Sequence, residues 1–250
     1  GLGDVYKRQM QGRSNDQWID MADWRACPDD LAPDDLLGES CAMGIDLSAT
    51  RDITALVLYF PKHNALLPFF FVPEQTAKQR DDYLIWAKGG LIEIAGEAAI
   101  SEERVRRKIQ ELVGGYDEDK RERIFGRYRC LAVAYDPWRM SALKAKMEDF
   151  DGLNMIPFRQ GFLSMAEPTA AMEREILEHR LRHFNNPVLT WMVSNAKTAT
   201  DPKGNTMVQK EHKDSKRKID GIVASIMARG LLLRPEVSSL FDENFTVRTL

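Results

Sequence analysis

The chain has 250 residues, 44% of them apolar, and a formal net charge of −3. That is ample for a full hydrophobic core. No apolar run approaches the roughly 20 residues needed to span a bilayer, and no charged segment followed by an apolar one marks secretion, so a soluble protein with no membrane partner is expected inside a cell. The mild acidity gives no global signature of nucleic-acid binding, so any polyanion would have to be held by a local basic patch.

Residues 1–9 read as foreign to the fold, because Asp4-Val5-Tyr6-Lys7-Arg8-Gln9 matches what a sequencing-transposon end encodes in one reading frame. Residues 10–40 are polar and acidic, punctuated by Pro28, Pro33 and Gly38, and are predicted to be an interdomain linker docked through Trp18 and Trp24. A fully buried strand is predicted at 41–47, a polar turn at 48–52, and further strands at 53–60 and 66–72, which together make an antiparallel meander. After Pro73 a helix is expected over 74–88, stopped by Gly89-Gly90, followed by a short edge strand at 91–94. Ser101 is a good N-cap, with Glu102 and Glu103 in the favourable first turn, for a helix ending at Gly114-Gly115.

A charged connection over 116–129 leads into a second buried strand at 130–135, reached through a helix and so expected to run parallel to its neighbour. Beyond it lie a helix at 141–150, a short strand at 155–158, a helix at 167–179, a helix or strand at 188–195 and a hairpin strand at 205–209. Ile219, Ile222, Val223, Ile226 and Met227 then show the spacing of an amphipathic helix. Periodicity is lost from Leu231 on, and 234–250 reads as a C-terminal tail. The main domain is placed at 41–233.

Cys27, Cys41 and Cys130 are odd in number, far apart and without C-x-x-C spacing, which argues against a disulfide framework and a zinc site and for small buried thiols. Charge is segregated along the chain. Acidic residues crowd 16–39, whereas 197–218 holds Lys197, Lys203, Lys210, Lys213, Lys216, Arg217 and Lys218 against Asp201, Glu211 and Asp214.

Three aspartates carry the chemistry. Asp46 ends the strand at 41–47, Asp136 ends the one at 130–135, and Asp220 opens the last amphipathic helix. A meander followed by strands reached through helices gives a mixed sheet with those two strands adjacent, so Asp46 and Asp136 become neighbours and a helix packed on the sheet can add Asp220. Carboxylates so gathered suit hard divalent cations, a pair of which about 4 Å apart can activate water and steady the leaving oxygen of a phosphodiester. Each acid also has an ordinary reading: Asp46 and Asp136 as turn formers, Asp220 as a favourable charge at a helix start. Their joint placement favours chemistry, since an acid abutting a buried strand is costly unless paired or metal-bound. The basic run beside Asp220, chiefly Lys203, Lys210, Lys213, Lys216, Arg217 and Lys218, would then meet the DNA backbone.

Five ordered segments carry a family resemblance: Gly44-Ile45-Asp46-Leu47-Ser48-Ala49-Thr50-Arg51-Asp52, Tyr135-Asp136-Pro137-Trp138, Pro157-Phe158-Arg159-Gln160-Gly161-Phe162, Asn186-Pro187-Val188-Leu189-Thr190-Trp191, and Lys218-Ile219-Asp220-Gly221-Ile222. From residue 11 to 230 the chain resembles the nuclease domain of the large terminase subunit of tailed bacteriophages. The resemblance implies an α/β, ribonuclease H-like fold and a metal-dependent endonuclease that cuts concatemeric double-stranded DNA during packaging in the host cytoplasm. It further implies Asp46, Asp136 and Asp220 as ligands of two Mg²⁺ or Mn²⁺ ions, with Asp46 shared between them. Portal protein and small terminase subunit are implied as partners of the full-length protein. Two departures stand out: Ser101 replaces an acid common in the family, and the connection at 116–129 is longer than usual. No G-x-x-x-x-G-K-[ST] occurs, so the ATPase motor is missing and no ATP hydrolysis is expected.

Lesser candidates read as structural. His179 and His183, four apart with Arg180 and Arg182 between, are expected on a solvated or DNA-facing surface rather than on a metal. Trp138 and Trp191 are expected to pack rather than to stack on bases. Asp46-Leu47-Ser48-Ala49-Thr50 faintly resembles the phosphate loop of actin-like sugar kinases, which need a duplicated domain this chain lacks. The non-enzymatic alternative is a domain that only binds DNA or docks on the portal.

Overall fold

The computed structural model describes residues 17–48, 52–138, 140–211 and 217–246, so residues 1–9 and the basic Lys213 and Lys216 lie outside the described residues. Helix α1 (Met21–Arg25) and a 3-10 turn (Pro33–Leu36) precede the sheet. Strands β1 (Ser40–Asp46), β2 (Thr54–Phe60) and β3 (Ala65–Val72) form the antiparallel meander. Every residue of β2 is buried, which is why that strand is a continuous apolar run rather than an alternating one.

The helix expected over 74–88 is two helices, α2 (Glu74–Ala77) and α3 (Asp81–Lys88), because Arg80 between them is extended (φ −145°, ψ 117°). Its guanidinium lies 4.4 Å from the centre of the Tyr83 ring and 5.1 Å from that of Trp191, an arrangement that a helical Arg80 would lose. Strand β4 (Glu93–Ile94) follows, then α4 (Glu102–Val113), capped by Ser101 as expected: its side chain accepts from Arg104 N–H. The connection at 116–129 contains a small hairpin of its own, β5 (Gly115–Asp117) with β6 (Glu122–Ile124).

Strand β7 (Arg129–Tyr135) runs parallel to β1, and after α5 (Ser141–Asp149) strand β8 (Met155–Pro157) runs parallel to β7. The six-stranded order is therefore β4-β3-β2-β1-β7-β8, a mixed sheet. Helix α6 (Phe162–Leu177) starts earlier than the predicted residue 167: the Gly161 carbonyl accepts from Ser164 and Met165, and Pro168 sits inside the helix. There it forfeits only the bond that would have reached the Ser164 carbonyl. Helix α7 (Pro187–Asn195), the hairpin β9 (Lys197–Thr200) and β10 (Thr206–Gln209), and helix α8 (Asp220–Leu231) complete the domain. The segment from 234 on, without readable periodicity, carries a further helix, α9 (Pro235–Thr246).

The two faces of the sheet have different covers. Ala42, Val57, Tyr59, Ala132 and Ala134 pack under α6, α7 and α8, whereas Met43, Ile45, Leu58, Val133 and Tyr135 pack under α4 and α5. Trp18 and Trp24 belong to the first of these cores. Trp24 is 1% exposed, its ring stacks on His183 at 3.8 Å, and its Nε1–H donates to Thr190 Oγ1. His183 is thus buried, not solvated as the sequence suggested, and burial pushes its pKa down. It hydrogen-bonds the Trp24 carbonyl through Nε2 instead of facing a phosphate or a metal.

Candidate metal centre

Asp46 is the last residue of β1, and the residue before it, Ile45, pairs with Tyr135 of the parallel strand β7. Asp46 and Asp136 therefore end neighbouring strands about 4.8 Å apart. Asp220 reaches the same edge through α8, a helix buried on all sides except at Arg229. The approach of α8 is set by Gly44: a Cβ there would stand 2.0 Å from the Ala224 carbonyl oxygen. Along β1, Asp46 lies two residues beyond Gly44 and shares its face; along α8, Asp220 lies one turn before Ala224. Backbone contact at Gly44 and Ala224 thus brings the two carboxylates towards each other.

Both Asp46 and Asp220 are 8% exposed. Burial, followed by the charges of Asp46 and Asp52 and opposed by Lys210, pushes the Asp220 carboxyl up to about 7. Asp46 Oδ1 accepts from Gln160 Nε2 at 3.0 Å. Asp220 Oδ2 is buried with no hydrogen-bond partner among the described residues. An oxygen with no donor in a buried acidic pair suits a divalent cation, which prefers carboxylate oxygens. Asp136 is more exposed and turned back on its own chain, its Oδ1 accepting from Trp138 N–H at 3.1 Å. Among the described residues no three His, Cys, Asp or Glu side chains are already gathered as a ligand group.

Sequence reasoning missed Asp52 as a member of this cluster. Six residues after Asp46, its carboxylate returns to the site, where Lys218 Nζ lies 2.7 Å from Oδ1 and Lys210 Nζ 3.3 Å from Oδ2. Burial works against the Asp52 carboxylate, but the two lysines outweigh it and its pKa is lowered. Lys210 also approaches Asp220 Oδ1 at 3.9 Å. Burial opposes its ammonium, yet the charges of Asp220, Asp52 and Asp46 raise its pKa. Lys210 and Lys218, expected on the DNA backbone, are therefore ion-paired within the acidic cluster. Arg217 is outside it, paired with Glu211, and Lys203 is exposed at the tip of the β9–β10 hairpin.

Trp191 packs as expected, its ring 5.3 Å from that of Trp86. Trp138 does not: it is 87% exposed. Pro137 before it is exposed as well, in the turn that follows β7.

The sequence pattern of the terminase large subunit endonuclease domain matches residues 7–236. The terminase large subunit of Enterobacteria phage HK97 is 31% identical over 197 residues, 75% of this chain and 36% of that protein. Protein YmfN of Escherichia coli strain K12 is 22% identical over an alignment of 274 positions that takes in 100% of this chain and 57% of that protein. The crystal structure of the HK97 large terminase superposes with a TM-score of 0.71 at 28% identity, covering 85% of this chain and 43% of that one. The chain thus spans between 36% and 57% of the length of these two curated relatives.

Proposed function

Because this chain belongs to the family of terminase large-subunit endonuclease domains, we propose that it cuts concatemeric double-stranded phage DNA during genome packaging, using two Mg²⁺ or Mn²⁺ ions held by Asp46, Asp136 and Asp220. Its mixed sheet flanked by helices is the ribonuclease H-like fold of that family. The observation that carries the reading is the buried pair Asp46 and Asp220, two like charges held close at the edge of the sheet with one carboxylate oxygen unsatisfied.

When bound, such ions acidify a water and offset charge on the departing 3′ oxygen. The residues of the chain prepare the place. Gln160 fixes Asp46 through Oδ1, so its second oxygen keeps one orientation. Lys210 neutralises part of the acidic cluster, which lowers the cost of holding Asp46, Asp52 and Asp220 together before cations arrive. Asp136 contributes by turning away from Trp138 N–H, a rotation of one half-buried side chain. Lys203 at the tip of the hairpin and Arg217 ahead of α8 would meet DNA phosphates, with Lys213 and Lys216 belonging to the same basic run. Portal protein and small terminase subunit are the proposed partners of the full-length protein, and the host cytoplasm its place of action. No helix among the described residues is long and apolar enough to cross a membrane.

The test is relaxation of supercoiled plasmid with Mg²⁺ or Mn²⁺ against EDTA. Asp46→Asn and Asp220→Asn should each abolish cleavage while circular dichroism shows an intact fold. Cleavage retained in a contamination-checked variant would remove that residue from the assignment. A domain that only binds DNA or docks on the portal is the second reading, favoured by the lack of a pre-gathered three-acid group among the described residues. Binding without metal-dependent cleavage in the wild type would select it.

A further inference from the structure

The break between α2 and α3 leaves Arg80 extended, with its guanidinium against the rings of Tyr83 and Trp191. There it lines a cavity of about 500 Å³ with Trp191, with Ser194 and Asn195 at the end of α7, and with Arg217 ahead of α8. Short links join this cavity to the acidic cluster. Asn195 Nδ2 donates to the Lys218 carbonyl at 3.1 Å, and the Lys218 ammonium lies 2.7 Å from Asp52. Met192, next to Trp191, accepts on its sulfur the N–H of Gly221, one residue past Asp220, at 3.1 Å. Asp220 itself follows Arg217 by three residues, a backbone reach of at most about 11 Å.

Two guanidiniums lining one cavity suit a phosphate, whose oxygens match their planar N–H forks. Ser194 Oγ and Asn195 Nδ2 are engaged by the Trp191 and Lys218 carbonyls and so shape the walls. Each arginine has a carboxylate beside it: Arg80 Nε and Nη2 donate to Asp82, and Arg217 Nη1 donates to Glu211. Those carboxylates are 37% and 42% exposed, so both pairs are surface pairs that contribute little and are screened by salt. Duplex DNA carries one negative charge per about 1.7 Å and releases counterions where it is neutralised, so a backbone phosphate displaces a single exposed carboxylate. The Tyr83 and Trp191 rings hold the Arg80 guanidinium in place while its partner changes, which limits the side-chain freedom lost on binding.

We propose that this cavity is a subsite for a backbone phosphate of duplex DNA, bound by Arg80 and Arg217 in exchange for Asp82 and Glu211, within a few nucleotides of the phosphate being cut. This deepens the nuclease reading and rests on it. Arg80 then fixes where the DNA backbone lies relative to the acids, and a phosphate contact carries no base preference.

The test uses the whole chain in EDTA, where binding is read without cleavage, by fluorescence anisotropy of labelled duplexes between about 50 and 200 mM salt. Arg80→Gln should weaken binding roughly 3- to 10-fold, by one factor for duplexes of unrelated sequence, and lower the slope of log affinity against log salt by about 1. Arg80→Lys keeps a charge and should keep the slope. Asp82→Asn removes the competing carboxylate and should tighten binding, and this gain should vanish when Arg80→Gln is already present, which separates exchange at Arg80 from a general change of charge. Wild-type affinity and slope in Arg80→Gln, a loss that depends on sequence, or a gain from Asp82→Asn that is absent or persists without Arg80 overturns the subsite. If Arg80→Gln melts at a lower temperature than the wild type, Asp82→Asn with Arg80 intact decides. Plasmid cleavage by the wild type with Mn²⁺ is read separately, so failure of this subsite and failure of the nuclease reading are told apart.

Discussion

A methyl group on Gly44 would stand 2.0 Å from the carbonyl oxygen of Ala224, so β1 and α8 touch backbone to backbone with no side chain between them. Neither partner is the flexible end of a side chain, and the strain of Gly44→Ala must move the helix. Overpacking of this kind costs about 1–3 kcal/mol. Because Asp220 rides on that helix, cleavage should fall further than the folded fraction does, read by urea denaturation alongside plasmid relaxation. A variant with wild-type stability and activity would show that Gly44 does not set the spacing of Asp46 and Asp220.

Asp220 titrates at about 7 in the fold, through burial first and then the charges of Asp46 and Asp52. An unfolded aspartate titrates near 3.9, so between about 4 and 7 the folded chain holds a proton that the unfolded chain has lost. This group therefore favours the fold most at the acid side of that window and withdraws support as pH rises through 7. In EDTA, the melting temperature should fall between pH 6 and 8 more in the wild type than in Asp220→Asn, and Mg²⁺ should restore it at pH 8. Lys210→Met, which removes an opposing charge, should move the fall to higher pH. Parallel curves for wild type and Asp220→Asn would show that Asp220 ionises normally.

On the other face of the sheet, Arg106 Nε lies 2.8 Å from Asp151 Oδ2, with the two side chains 3% and 0% exposed. Asp151 Oδ1 also accepts from Gln110 Nε2 and Tyr116 N–H, which ties the β5–β6 hairpin to α4. Removing one partner strands a buried charge, at about 3–5 kcal/mol. Arg106→Met should lose stability on that scale, and Arg106→Met with Asp151→Leu should recover part of it. Cleavage per folded molecule should not change, since the pair is remote from the acids. A loss under about 1 kcal/mol would mean that Asp151 finds water once Arg106 is gone.

Trp24→Ala should cost about 3–5 kcal/mol, the usual range for emptying a tryptophan site in a core. It would also leave His183 without its stacking partner. Limited proteolysis gives the second readout: cleavage before residue 40 should appear in the variant and not in the wild type. Equal protection would show that residues 17–39 are held by contacts other than Trp24.

The strands that carry Asp46 and Asp136 were legible because a run such as Leu131-Ala132-Val133-Ala134-Tyr135 has one stable fate, burial on both faces of a sheet. The acid after such a run marks the end of the strand, and the order meander, helix, strand fixed which two strands would meet in the interior of the sheet. The start of α8 was equally plain from Ile219, Ile222, Val223 and Ile226.

Other placements had no local signal. Gln160 hydrogen-bonds Asp46 from 114 positions away, and although its segment is one of the five that carry the resemblance, no local pattern pairs this amide with Asp46. Lys210 and Lys218 look like any members of a basic run until the fold sets Asp52 between them. His183 and Trp138 were misjudged in opposite directions, since an imidazole or an indole is equally at home buried or at a surface. Their exposure depends on whether another segment, such as the one bearing Trp24, arrives to cover them.

By itself the sequence determined the strands, most of the helices and the three acids at their ends, because hydrophobic periodicity, caps and breakers act over a few residues. Only the tertiary structure decided which charges share one buried site, how high Asp220 titrates and which ring faces the solvent. Those properties depend on desolvation and on Coulomb interactions across a few ångströms of space, between residues that the chain keeps far apart.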